Sequence, residues 1–192
     1  MISTFTVLVD ANVFFGARLR SLVLTLAQTK MFRARWTERI HDEWMRSVAT
    51  KHDLPIEKLA KTKALMDAAV LNCLVSGYEP LEASFDLPDA DDRHVLAAAV
   101  KTRADLILTF NQKDFPATVL APLGLATQHP DDFMQDMFGI SAEMFIDAVT
   151  EDFRHYLAPP LSFDEYVASL ARAGIPETAT LIGELRVLIE SK

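Results

Sequence analysis

The run Phe5-Thr6-Val7-Leu8-Val9, followed at once by Asp10, most restricts what this chain can become. Large and β-branched residues in an unbroken run read as a strand buried on both faces, the kind found inside a parallel sheet. Asp10 stands at the carboxyl end of that strand, and an amphipathic helix starts near Asn12 or Val13. In an open α/β sheet, ligands bind outside the carboxyl ends of the strands. Asp10 therefore either belongs to such a site, or it and Asn12 merely cap the next helix, as both residue types do well.

Strand and helix patterns then alternate. Phe14, Leu19, Leu22, Val23 and Leu26 give one apolar face to a helix over 14–27, with Arg18 and Arg20 projecting from its start. Residues 31–36 read as a short strand, and Thr37 as the cap of a helix whose packing face is Trp36, Ile40, Trp44 and Val48. Glu43 lies beside that face, at the edge of a cleft or on a solvated flank. Pro55 opens a third helix to about residue 72, with Lys58, Lys61 and Lys63 exposed. Residues 73–75, 106–109 and 123–127 read as further strands, and the alternation implies a parallel sheet. From about Gly139 only helices remain, over 141–156, 162–173 and 176–189, separated by Pro159-Pro160 and by Gly174. The expected division is an α/β domain over 1–138 and a helical extension over 139–192.

The acids recur at matching places. Asp89, Asp91 and Asp92 precede an alanine-rich helix, although one acid suffices for a cap. Asp114 follows the strand 106–109. In a single parallel sheet these positions and Asp10 share one rim, and Glu43 joins them if its helix passes that rim. Two carboxylates about 4 Å apart repel by roughly 4 kcal/mol at an effective dielectric near 20. A divalent cation among them is the economical remedy, and oxygen-only ligands favour Mg²⁺ or Mn²⁺. Such an ion suits phosphodiester hydrolysis.

Composition narrows the class. The chain has 192 residues, half of them hydrophobic, which provides for one α/β domain with a full core plus an appendage. A single cysteine, Cys73, leaves no internal disulfide and reads as a buried, reduced thiol. No apolar run is long enough to cross a membrane, and the first apolar stretch lacks a basic leader and is interrupted by Asp10, so a cytoplasmic protein is expected. The net charge is −8, but Lys and Arg predominate over residues 1–63, and Asp and Glu over the rest. A basic face beside an acidic centre suits an enzyme that grips a phosphate chain and holds cations.

Four segments, in order, resemble the motifs of PIN-domain ribonucleases of the VapC toxin type, over roughly residues 5–138. Val9-Asp10-Ala11-Asn12-Val13 resembles the first strand, whose aspartate is a metal ligand, which implies that role for Asp10. The helix from Trp36 to Glu43 resembles the second motif and implies Glu43. The segment Asp89-Ala90-Asp91-Asp92-Arg93-His94-Val95 resembles the third and implies Asp89 and, more strongly, Asp92. Thr109-Phe110-Asn111-Gln112-Lys113-Asp114-Phe115-Pro116 resembles the fourth and implies Asp114. Many relatives carry an aspartate where this chain has Asn111, which leaves one metal or two. The resemblance implies a three-layer α/β/α fold, a PIN-like arrangement about a central parallel sheet, and a Mg²⁺-dependent endoribonuclease acting on tRNA or another structured RNA. It also implies a cognate antitoxin protein and a homodimer. Arg18, Arg20, Arg33, Arg35 and Arg39 are candidates to steer the RNA backbone.

Other readings stand beside this one. A non-catalytic module would use the acids to bind a basic protein partner, and the same metal chemistry would cut DNA. A haloacid-dehalogenase-type phosphatase needs a second aspartate two positions after the first, where Asn12 stands. The five histidines show no ligand spacing, and Trp36 and Trp44 read as core.

Overall fold

The computed structural model describes residues 5–156 and 161–192. The Pro159-Pro160 break lies outside the described residues. Five parallel strands form one sheet in the order β3-β2-β1-β4-β5. They are β1 (Thr6–Val9), β2 (Arg33–Thr37), β3 (Leu74–Val75), β4 (Leu106–Leu108) and β5 (Ala126–Gln128). The order runs one way from β1 to β3 and the other way through β4 and β5. The crevice between the carboxyl ends of β1 and β4 is thus the switch point where α/β sheets bind ligands.

β1 is fully buried, and its side chains alternate between two apolar layers. Val7 and Val9 face one layer, with Trp36, Leu22 and Phe133. Leu8 faces the other, with Ile107, Val95 and Leu96. Helices cover both faces, which gives the expected α/β/α layering. The first helical stretch is not continuous. It forms α1 (Ala11–Phe15) and α2 (Ala17–Gln28), joined at an extended Gly16. The apolar spacing of residues 14–26 concealed this break, because both pieces bury the same face.

Thr37 caps α3 (Glu38–His52) by accepting from the Ile40 amide. A 3-10 turn leads into α4 (Ala60–Ala69). Between α3 and α4 lies a buried polar cluster. Trp36 Nε1 donates to Asp67 Oδ1 at 2.9 Å, His41 Nε2 meets the same oxygen at 2.9 Å, and Trp44 Nε1 donates to His41 Nδ1 at 2.9 Å. Both tryptophans are core, as their spacing implied. Burial, reinforced by the charge of Asp67, pushes the Cys73 thiol up to about 12, so it stays protonated.

α5 (Arg93–Thr102) and the short α6 (Ala117–Leu120) complete the sheet's helices. The remainder is helical: α7 (Pro130–Ile140), α8 (Ala142–Arg154), α9 (Phe163–Arg172), α10 (Pro176–Glu184) and α11 (Arg186–Glu190). The last expected helix is interrupted at Leu185. Val149, Tyr166 and Ile182 join the same apolar layer as Val7 and Val9. Two carboxylates fasten these helices. Asp152 accepts from Ser21 Oγ of α2 and from Tyr166 Oη of α9, the latter at 2.8 Å. Asp131 accepts from the amides of Glu177 and Thr178 at 2.9 and 2.8 Å, which caps α10.

Candidate active site

Asp10 leaves β1 with its backbone amide still bound to the Leu108 carbonyl, at 3.0 Å, so the adjacent strand fixes its position. Its side chain does cap α1, through Oδ1 and the Ala11 amide at 2.6 Å. Oδ2 accepts from Asn12 Nδ2 at 2.6 Å and from Thr109 Oγ1 at 2.8 Å. A carboxylate offers about four acceptor positions, so three such bonds fix its orientation and leave capacity for another partner. Burial raises the Asp10 carboxyl above its ordinary value, against the lowering effect of the bonds from Thr109 and Ala11.

Asn12 and Thr109 make the switch point a closed polar knot. Asn12 Nδ2 also reaches Thr109 Oγ1, and Asn12 Oδ1 accepts from the Phe110 amide at 3.1 Å. Thr109 Oγ1 accepts from the Asn111 amide at 3.0 Å. These bonds hold the loop after β4 against the start of α1. Sequence reasoning missed the role of Thr109. Its signal was a hydroxyl at the end of a buried strand, one position before the loop.

Glu43 projects from α3. Its Oε1 lies 3.0 Å from His94 Nε2 and 3.3 Å from Arg39 Nε. Both partners meet one oxygen, and Oε2 has no such partner among the described residues. Asp92 occupies the N-cap position of α5, yet its side chain makes no capping bond. Asp89 does cap, accepting from the Asp91 amide at 2.9 Å. Neither Asp91 nor Asp92 is explained by capping, and of the two only Asp92 lines a cleft with Asp10. Burial, together with the charges of Asp10, Asp89 and Asp114, pushes its carboxyl up to about 7, while His94 acts the other way.

A cleft of about 460 Å³ brings Asp10, Glu43 and Asp92 together, with Asn12, Asn111, Ser47 and Phe15 also in its wall. Asp89 and Asp114 act on Asp92 through their charge but do not line this cleft. No lysine or arginine lines it. An oxygen-only donor set of this kind fits a hard divalent cation. Among the described residues, no three acid, histidine or cysteine side chains are grouped closely enough to hold a metal ion by themselves.

The expected arginine track is largely corrected. Arg33 pairs in register with Thr6, at the opposite end of the sheet from Asp10, and Arg35 donates to the Asn72 carbonyl. Arg20 donates to the Phe14 carbonyl and covers the Trp44 ring, while Arg18 lies 3.6 Å over Tyr156. Arg18 and Arg20 thus pack on aromatic rings, and neither Arg33 nor Arg35 lines the acid cleft. Arg39 alone of the five borders the acids, held also by Glu82 at 3.4 Å. Arg46, which the sequence reading passed over, lines an adjoining cleft with Glu43 and Asp92.

The PIN domain family matches residues 6–113, more than half of the chain. The chain is a PIN-domain protein. Residues 130–184 match the VapC50 C-terminal domain family, so this PIN-domain protein carries the helical extension of a VapC-type relative. Over 86 residues it is 38% identical to the Mycobacterium tuberculosis (strain ATCC 25618 / H37Rv) protein named "Putative ribonuclease VapC50", covering 45% of this chain and 50% of that protein. The aligned region spans about half the length of that curated relative. No solved structure matches. No described helix is long and apolar enough to cross a membrane.

Proposed function

We propose that this PIN-domain protein is a Mg²⁺-dependent endoribonuclease, the toxin of a type II toxin–antitoxin pair, acting in the cytoplasm on tRNA or another structured RNA. The observation that carries this reading is the meeting of Asp10, Glu43 and Asp92 in one cleft. The 38% identity to a relative named a ribonuclease supports the choice of polymer. Asp10, Glu43 and Asp92 hold the cation on this reading, with Asp89 and Asp114 contributing through charge or through water.

When bound, Mg²⁺ or Mn²⁺ supplies an acidified water and offsets charge on the scissile phosphate. The chain's own residues do the positioning. Asn12 and Thr109 fix the Asp10 carboxylate, and His94 and Arg39 hold one oxygen of Glu43. An antitoxin that covers the acidic cleft and a homodimer of this chain belong to the same proposal.

Asn111 favours a second reading, a PIN-like module that binds a basic protein and cuts nothing. The deciding experiment incubates purified protein with total tRNA, other RNAs and DNA, with Mg²⁺ or with EDTA, alongside Mn²⁺ calorimetry. The ribonuclease reading expects RNA fragments with Mg²⁺ alone and heat on Mn²⁺ addition. Neither signal would reject it in favour of the binding module, and cleavage of DNA alone would change the polymer.

A further inference from the structure

The far end of the sheet from Asp10 carries a pocket of opposite charge. It encloses about 440 Å³ where the ends of α2 and α4 meet the start of β2. Lys30, Arg33 and Arg35 line it, and no acid does. Residues 1–4 and 157–160 contain no Asp or Glu that could reach in. Among the described residues Lys30 makes no ion pair, and Arg35 donates only to the Asn72 carbonyl. Burial, and after it the charge of Arg33, hold the Arg35 guanidinium below its ordinary value. Val70 and Leu71 give the pocket an apolar wall, and Leu71 is 82% exposed. Lys30 and Asn72 stand on the rim with φ of +64° and +58°. Asparagine tolerates that conformation and lysine adopts it rarely. Backbone held in such regions clusters at ligand sites.

We propose that this pocket binds a small organic phosphate that carries a flat ring, a nucleoside monophosphate, with its phosphate on Arg35 and Lys30 and its ring against Val70 and Leu71. Like charges gathered at a cavity repel one another, and an anion among them removes that cost. A guanidinium has five N–H donors in a planar fork, so Arg35 keeps a pair for two phosphate oxygens after its bond to Asn72. Arg33 Nε already donates to Thr6 Oγ1 at 3.1 Å, so Arg33 adds charge at the edge more than direct contact. The volume falls within the roughly 300–1,000 Å³ of small-molecule sites, which also pair apolar walls with a few polar groups. A polymer held by its backbone needs a charged track and no such recess. The side-chain amide of Asn72 has no hydrogen-bond partner among the described residues, and it offers a donor and an acceptor to the edge of a base. Arg33 pairs in register with Thr6, four residues before Asp10, which separates the pocket from the acids by roughly 13 Å along the strands. The inference therefore stands apart from the ribonuclease reading.

The test is calorimetric titration of the full chain in EDTA at low salt with AMP, adenosine and inorganic phosphate. AMP is expected to bind once per chain with a Kd below about 1 mM, and adenosine and phosphate at least about 10-fold more weakly. Arg35→Ala should weaken AMP by at least about 10-fold, the scale of one charge-assisted contact. That variant also loses the bond to Asn72, so Asn72→Asp provides a second one. Aspartate tolerates the same backbone conformation, keeps the carbonyl that Arg35 uses and places a negative charge among the cations. It should weaken AMP at least as much while circular dichroism and the thermal midpoint show an intact fold. Asp10→Asn should bind AMP as wild type does. No heat from AMP, equal affinity for AMP and inorganic phosphate, or wild-type binding by a folded Asn72→Asp variant overturns the proposal. Loss of AMP binding in Asp10→Asn overturns it by moving the nucleotide to the acid cleft. RNA binding that Asn72→Asp abolishes, with no uptake of AMP by wild type, overturns it in favour of a polymer contact.

Discussion

At the residue scale, the acids divide by what else they do. Asp10 caps α1 through one oxygen and also lines the cleft with Glu43 and Asp92. Asp89 caps, and Asp92 accepts no bond that would explain its place. This division was not legible, since three aspartates in four residues differ only in how the 3-10 turn at residues 90–92 directs each carboxylate. Asp92 also has a measurable cost. Its folded carboxyl is pushed up to about 7 from 3.8. Between these values the unfolded chain releases the proton and the folded chain retains it. Its contribution to stability therefore falls as pH rises from about 4 to about 7 and stays at its lowest above that. Asp10 is shifted in the same direction. Urea unfolding in EDTA should find Asp92→Asn more stable than wild type at pH 8, with the gap closing towards pH 4. Excess Mg²⁺ at pH 8 should stabilise wild type more than the variant, because only a ligand that prefers the folded state shifts the equilibrium. An equal gap at both pH values would refute this account of the strain.

At the element scale, β1 and β4 were plain in the sequence because each is a short apolar run inside the sheet, whereas β2 carries two arginines and β5 is Ala-Thr-Gln at an edge. The β1 alternation of Val7 and Val9 against Leu8 settles the two layers once coordinates are known. Breaks were harder to see. Gly16 and Leu185 interrupt apolar patterns without interrupting their periodicity, and one glycine is a weak signal inside a helical pattern. The polar cluster joining α3 to α4 was invisible too, because Asp67 lies 26 residues from His41. It makes a clear prediction. Asp67→Ala strips the acceptor from Trp36 Nε1 and His41 Nε2 inside the core. Each buried donor left unpaired costs about 1–3 kcal/mol, so the midpoint of thermal unfolding should drop by several degrees. An unchanged midpoint would mean that water replaces the carboxylate.

At the scale of the whole molecule, the helical extension and the cleft are mechanically joined. Gly174, between α9 and α10, has φ +94°, and a Cβ there would lie 2.8 Å from Phe110 Cε1. The Phe110 amide donates to Asn12 Oδ1 within the polar knot around Asp10. The extension thus buttresses the loop that follows β4. Sequence patterning marked Gly174 as a break between helices but gave no sign of the ring against it, since such contacts arise only on folding. Gly174→Ala combines a disfavoured backbone conformation with a clash against a packed ring, and should cost on the order of 1–3 kcal/mol. RNA cleavage should fall along with the urea midpoint. A variant that loses neither would detach the extension from the site.

The proposed function rests on Asp10, Glu43 and Asp92 acting as one cation-binding cleft that cuts RNA. The most direct measurement is cleavage of total tRNA by wild type and by Asp10→Asn in Mg²⁺, with circular dichroism on both. Asparagine preserves the capping acceptor for Ala11 but removes the charge. The account predicts a folded variant whose cleavage falls by at least about 100-fold, the scale of losing a group that acts on the reaction itself. Wild-type cleavage by a folded Asp10→Asn variant would contradict it.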